Sequence, residues 1–152
     1  MDNFEKNILT LSKYLITKEI NSALKIQKIL FFMRVEELKN KKTESTYFKE
    51  DKNFQAWIYG PVNPESYFFI QKFFNEKDEK ENFLLDDEQV KEIDQLYLKS
   101  FEKYYKCSSN QLIKISHENT AWIEARGNLG SDEICKKFMI ENDDFINFKN
   151  AL

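Results

Sequence analysis

Histidine occurs once in these 152 residues, cysteine, proline and arginine twice each, and glycine three times. Each scarcity removes a class of chemistry. Three glycines leave no glycine-rich phosphate loop, and neither a GxSxG elbow nor a pair of histidines at metal-binding spacing is present. Cys107 and Cys135 are too few and too far apart for a zinc ribbon, and His117 alone cannot complete a Cys and His site. No metal and no cofactor is therefore expected, and both thiols should stay free in a reducing cytoplasm. The amino terminus, MDNFEKNILTLSKYL, has early acidic residues and no long apolar run, which argues against a secretory signal or a membrane anchor. A net charge of −3, with lysines and carboxylates interspersed, offers no general attraction to polyanions, so nucleic acid is not an expected partner. Arginine is confined to Arg34 and Arg126 while Lys, Asn, Ile and Phe abound, a bias of AT-rich genomes.

What is present describes one soluble domain spanning residues 1–152, with enough large rings for a dense aromatic core. The segment FQAWIYGPVNPE, Phe54 to Glu65, concentrates the turn residues. Phe54, Ala56 and Ile58 alternate with Gln55, Trp57 and Tyr59, the period of a strand with two different faces. Gly60-Pro61 is expected to stop that strand, Asn63 to cap a helix and Pro64 to take its first position. The strand is expected to pair with Thr46-Tyr47-Phe48 in a small hairpin.

Elsewhere the periodicity is helical. Phe4, Ile8, Leu11 and Leu15 mark a first helix to about Lys18, and Asn21 or Ser22 caps a second through LKIQKILFFMRVEELKN. That second helix is apolar nearly all round and must be central; Lys25, Lys28 and Arg34 bracket a block far shorter than the roughly 20 residues a bilayer requires. Tyr67, Ile70, Phe73 and Phe74 give the helix from Pro64 its apolar side, and Asn75 to Asn82 reads as an exposed loop. Asp86 with Gln89, and Ser108 with Gln111, form capping boxes for two further helices. Thr120 to Arg126 is a short helix ended by Gly127. Ile134, Phe138 and Met139 are expected to be the buried side of another helix, with a last turn beginning at Asp143 or Asp144. The expected fold class is mainly α: a bundle of about six to eight short helices around a central one, with a β-hairpin near residues 46–59. Residues 76–94 lean acidic, as solvated loops and helix starts do.

His117 stands between Ser116 and Glu118, which invites an acid–base or nucleophilic reading. Adjacent helical residues diverge in direction, however, so a packing or helix-end role is preferred. Trp122 and Arg126, four apart, share a helix face where the guanidinium can lie against the indole, as an internal brace or an interface anchor. Trp57 and Tyr59 share a strand face that either a second core layer or a partner could cover. Cys107 reads as an inert thiol.

Three segments together, LKIQKILFF at Leu24 to Phe32, FQAWIYGPVNPE at Phe54 to Glu65 and SHENTAWIEAR at Ser116 to Arg126, resemble the landmarks of the Panacea-domain family, which includes SocA-like antitoxins and phage-associated proteins once labelled GepA. Lys25-Ile26-Gln27-Lys28-Ile29 matches with Ile for Leu; Phe54, Ala56, Trp57, Tyr59, Gly60, Pro61 and Val62 match without a gap; Ser116, His117, Trp122, Ala125 and Arg126 match the last. The resemblance spans roughly residues 4–140, departs in the acidic stretch Asn75 to Asp87, and shows no appended DNA-binding or enzymatic domain. It implies a mostly helical bacterial antitoxin that neutralises a cognate protein toxin by direct binding, the toxin being encoded next door. One branch also hands its toxin to a protease. Trp57, Tyr59, Gly60, Pro61, Glu65, His117, Trp122 and Arg126 are then the signature or partner-binding residues. Two rivals stand beside this reading: a small hydrolase or transferase working through His117 and Glu118, and a phage-encoded inhibitor of a host enzyme.

Overall fold

Asparagine, serine and aspartate caps divide the chain into helices much as their spacing predicts. The computed structural model describes residues 5–40, 47–76 and 83–149. Phe4 and Thr46, and most of the loop expected at Asn75 to Asn82, lie outside them. Helix α1 (Ile8–Thr17) begins where the Asn7 side chain accepts the amides of Leu9 and Thr10. Ser22 caps α2 (Ala23–Lys39). The strands β1 (Gln55–Trp57) and β2 (Gly60–Val62) follow, then α3 (Pro64–Asn75), capped by Asn63 with Pro64 in its first turn. Both capping boxes form, opening α4 (Asp87–Tyr104) and α5 (Ser109–Ser116), and α6 (Thr120–Arg126) ends at Gly127. A 3-10 turn, Asp143–Ile146, closes the series. The fold is mainly α with one small hairpin, as expected.

Helix α2 is the axis. Every residue from Ile26 to Val35 is buried, and α1, α3, α4, α5, β2 and the 3-10 turn all pack on it. Phe31 meets Phe32, Phe54 and Phe145 edge-on, with centroids 5.1–5.6 Å apart for Phe32 and Phe54, and Phe32 stacks on Tyr104 at 4.5 Å. Interlocked rings of this kind add to burial and oppose sliding of one helix along another.

Two details correct the expectations. The hairpin partner of β1 is Gly60–Val62, and the described part of the expected partner, Tyr47-Phe48, forms no strand with it: Gln55 faces Val62, Ala56 faces Pro61 and Trp57 faces Gly60 across a two-residue loop. Neither Ile58 nor Tyr59 takes a positive φ, so the left-handed step that closes the loop falls to Gly60, at φ +109°. Gly60-Pro61 therefore reverses the strand instead of ending it.

The second correction concerns Ile134, Phe138 and Met139. They form no helix; the chain there runs antiparallel along the other edge of β1, with the Ala56 amide donating to Lys137 O at 3.1 Å and the Met139 amide to Phe54 O at 2.7 Å. Only Met139 of the three is buried, while Ile134 is 76% exposed. A bare edge on β1 would leave buried backbone groups unpaired, and this segment satisfies them, which outweighs its helical periodicity.

Candidate functional site

The three signature segments meet at the hairpin. In the ladder, Ala56 directs its amide towards Lys137, so its opposite number Pro61 turns its backbone away from β1. Proline has no amide to leave unpaired there, and its outward carbonyl is taken by Lys28 Nζ at 2.8 Å. Lys28 is fully buried on α2, and burial alone lowers its pKa to about 7. Its neighbour Gln27 accepts the Asn63 amide at 2.9 Å and donates to Ser66 Oγ at 3.0 Å, tying α2 to the start of α3. Ser66 in turn lies 2.6 Å from Ser12 Oγ on α1.

Gly60 is the point of closest approach. A Cβ placed there would lie 2.4 Å from Ser116 Oγ and 2.8 Å from Lys28 Cε. The glycine is thus required by space as well as by φ. Ser116, fully buried at the end of α5, spends its hydroxyl on Ile113 O at 2.8 Å.

His117 follows as the C-terminal cap of α5. Its ring stacks on Trp122, centroids 4.3 Å apart and planes within 9°. Burial holds its pKa below the ordinary histidine value; a hydrogen bond with the Ile58 backbone opposes this, and the charges of Lys28 and Arg126 add to the lowering. Nε2 is buried and has no hydrogen-bond partner among the described residues.

Trp122 and Arg126 complete the arrangement from α6. Trp122 Nε1 donates to Trp57 O at 2.9 Å. Arg126, 6% exposed, lies 5.4 Å over the Trp122 ring and donates to the carbonyls of Ala56, Gly130 and Glu133 at 3.0, 2.8 and 2.7 Å. All three acceptors are backbone carbonyls, and through them the planar guanidinium clamps β1 to the loop after α6.

Trp57, Gly60, Pro61, His117, Trp122 and Arg126 are therefore brought together. Tyr59 stands at the hairpin tip, 63% exposed. Glu65 is apart from them, in the exposed first turn of α3, paired with Lys49 at 3.1 Å. Beside the cluster the hairpin's outer face opens into an apolar groove of about 460 Å³, walled by Leu24, Trp57, Tyr59, Val62, Tyr67 and Ile134. The Trp57 ring meets Tyr67 at 4.9 Å, and its Nε1 is held by Gln55 Oε1 at 2.8 Å.

Residues that sequence reasoning missed include Lys28, Gln27 and a second buried polar centre. Arg34 Nε contacts Glu141 Oε1 at 2.7 Å, and Asn53 Nδ2 contacts Glu141 Oε2 at 2.7 Å. Burial raises the Glu141 pKa, with Arg34 and Asn53 pulling the other way. Lys28 carried a signal: it directly precedes the apolar block Ile29 to Met33 of α2, in a helix apolar nearly all round, where a lysine must find an internal acceptor. Arg34 and Glu141 lie 107 positions apart and carried none.

These features define a class: a mainly helical protein whose polar centre locks a hairpin to its central helix, with an apolar groove on the hairpin's outer side. Residues 26–123 match the family described as antitoxin SocA-like, Panacea domain, and the chain belongs to that family. No curated protein and no solved structure matches it. The matched span holds Lys28, the whole hairpin, His117 and Trp122, while Arg126 lies just beyond it. Among the described residues no helix is long and apolar enough to cross a membrane.

Proposed function

We propose that this chain is an antitoxin that neutralises a cognate protein toxin by direct binding, acting by occlusion and not by turnover. The observation that carries this reading is the groove beside the hairpin, where Tyr59 and Ile134 stand largely exposed over an apolar floor. Apolar surface of that kind, with aromatic walls, suits a protein partner whose side chains displace its water. Family membership supplies the kind of partner.

The arrangement around His117 supports occlusion over catalysis. The imidazole is sandwiched against an indole, and Ser116 and Lys28 are fully buried with their polar atoms engaged on backbone carbonyls. Glu65, paired on the far side with Lys49, serves in this reading as a surface support and not as part of the groove.

Co-expression with the product of the neighbouring open reading frame tests the proposal. Growth arrest by that product alone, relief by this chain, and a co-purifying complex are expected. A harmless product with no complex overturns it. The lifetime of the toxin with and without the host's ATP-dependent proteases separates plain occlusion from delivery to a protease.

A further inference from the structure

The extended segment beside β1 presents a second edge. Lys137 and Met139 spend their backbone groups on β1, so the alternation of an antiparallel ladder turns the amide and carbonyl of Phe138, and the amide of Ile140, to the opposite side. None of these three groups is hydrogen-bonded among the described residues. The same stretch carries Ile134 and Ile140, 76% and 70% exposed, with Phe138 between them. An exposed edge bearing apolar side chains is a template for another strand, and proteins that do not use such an edge cover or bend it.

Charge points to the kind of strand. Lys136 and Lys137 are exposed and neither pairs with a carboxylate among the described residues. The nearby Glu133 carboxylate is turned onto the Gly130 amide at 3.2 Å. Lys136 also lines the apolar groove, so edge and groove are continuous.

We infer that the edge from Lys136 to Ile140 binds an extended, acidic segment of a partner protein by adding it as a strand to the β2–β1 ribbon. That the partner is a toxin rests on the function proposed above; the edge itself does not. Main-chain hydrogen bonds to Phe138 and Ile140 hold the segment; its apolar side chains meet Phe138 and Ile140 on one face, and its carboxylates, on the other face, meet Lys137.

The test uses the full chain and an acetylated, amidated heptapeptide of alternating glutamate and valine, with amide exchange of Phe138 and Ile140 read by NMR. Saturating peptide is expected to slow both amides about tenfold, and its lysine-for-glutamate counterpart to leave them unchanged. Phe138→Pro removes the outward amide together with the ring, so the fold is expected to hold by circular dichroism while protection of the Ile140 amide is lost. Phe138→Ala loses the same ring but keeps the amide, and is expected to retain at least about half of the protection. If Phe138→Pro fails to fold, Ile140→Pro carries the same reading at the Phe138 amide. Absence of protection by the glutamate peptide overturns the inference. So does protection without peptide that grows with protein concentration alongside a sedimenting dimer, because the occupant is then a second copy. A toxin that binds Phe138→Pro as well as wild type also overturns it, with the antitoxin reading intact. Protection by the peptide with no toxin partner leaves the edge standing and removes the antitoxin reading.

Discussion

Trp122 donates its indole N–H to the carbonyl of Trp57, 65 residues earlier, at 2.9 Å, while the opposite character of the same ring, its π face, stacks on His117. One side chain thus joins the helix α6, the end of α5 and the last residue of β1. Trp122→Phe keeps a ring for the stack and deletes the donor, leaving the Trp57 carbonyl without its partner. A loss of about 1–2 kcal/mol in urea denaturation is expected. Trp122→Ala removes the stack too and should cost about 3–5 kcal/mol. Equal losses for the two variants would show that the hydrogen bond contributes everything and the ring nothing.

Gly60 makes a separate prediction, because two independent constraints fall on it. A Cβ there meets Ser116 Oγ at 2.4 Å and also demands φ +109°, which side chains rarely adopt. Gly60→Ala should destabilise by at least about 2 kcal/mol. Adding Ser116→Gly removes the nearest clash and leaves the backbone strain, so the double variant should recover part of the loss and never all of it. Full additivity in the double-mutant cycle would mean the two positions do not touch.

Lys28 ties stability to pH. Its folded pKa, lowered by burial to about 7, lies well below the 10.5 of an exposed lysine. Between those values the unfolded chain holds a proton that the folded chain has released, so stability rises with pH across that window and is lower on its acidic side. Lys28→Met keeps the stem's volume and removes the titration. From about pH 7.5 to about pH 9.5, wild type should gain on the order of 2 kcal/mol relative to Lys28→Met in urea melts. Parallel pH profiles for the two proteins would show that the ammonium reaches solvent. His117 acts in the same sense at lower pH: its folded pKa is depressed, so stability falls as pH drops through the ordinary histidine range.

Local signals and distant pairings differed in how far the sequence exposed them. Asn63 with Pro64, Asp86 with Gln89 and Ser108 with Gln111 act within a single turn, and each starts a helix where its spacing predicts. The burial of α2 followed from an apolar block with no polar face. Ile134 to Met139 misled because its apolar spacing suits a helix, whereas its backbone partner is β1, some 80 positions earlier in the chain. Gly60-Pro61 misled similarly: a stop and a reversal use the same residues, and only the ladder register, which turns Pro61 away from β1 towards Lys28, accounts for a proline inside a strand. The convergence of Trp57, His117, Trp122 and Arg126 was suggested by resemblance alone, since the bonds that join them run through backbone carbonyls that no side-chain pattern reports.

The groove yields the prediction that separates function from folding. Tyr59 is 63% exposed and Ile134 is 76% exposed, and neither makes a side-chain hydrogen bond or ring contact among the described residues. Exposed side chains of this kind contribute little to the folded state, so Tyr59→Ser and Ile134→Ser should each shift stability by less than about 0.5 kcal/mol. At a partner interface the same truncations remove buried aromatic and aliphatic contacts, and each should weaken toxin binding at least about tenfold, with the double variant failing to restore growth. Arg126→Lys provides the contrast: it breaks the three-carbonyl clamp and should lower stability by about 2–3 kcal/mol, weakening neutralisation only in proportion to the folded protein that survives. If Tyr59→Ser and Ile134→Ser bind the toxin as tightly as wild type, the partner lies on another face, and the groove beside the hairpin is not where neutralisation occurs.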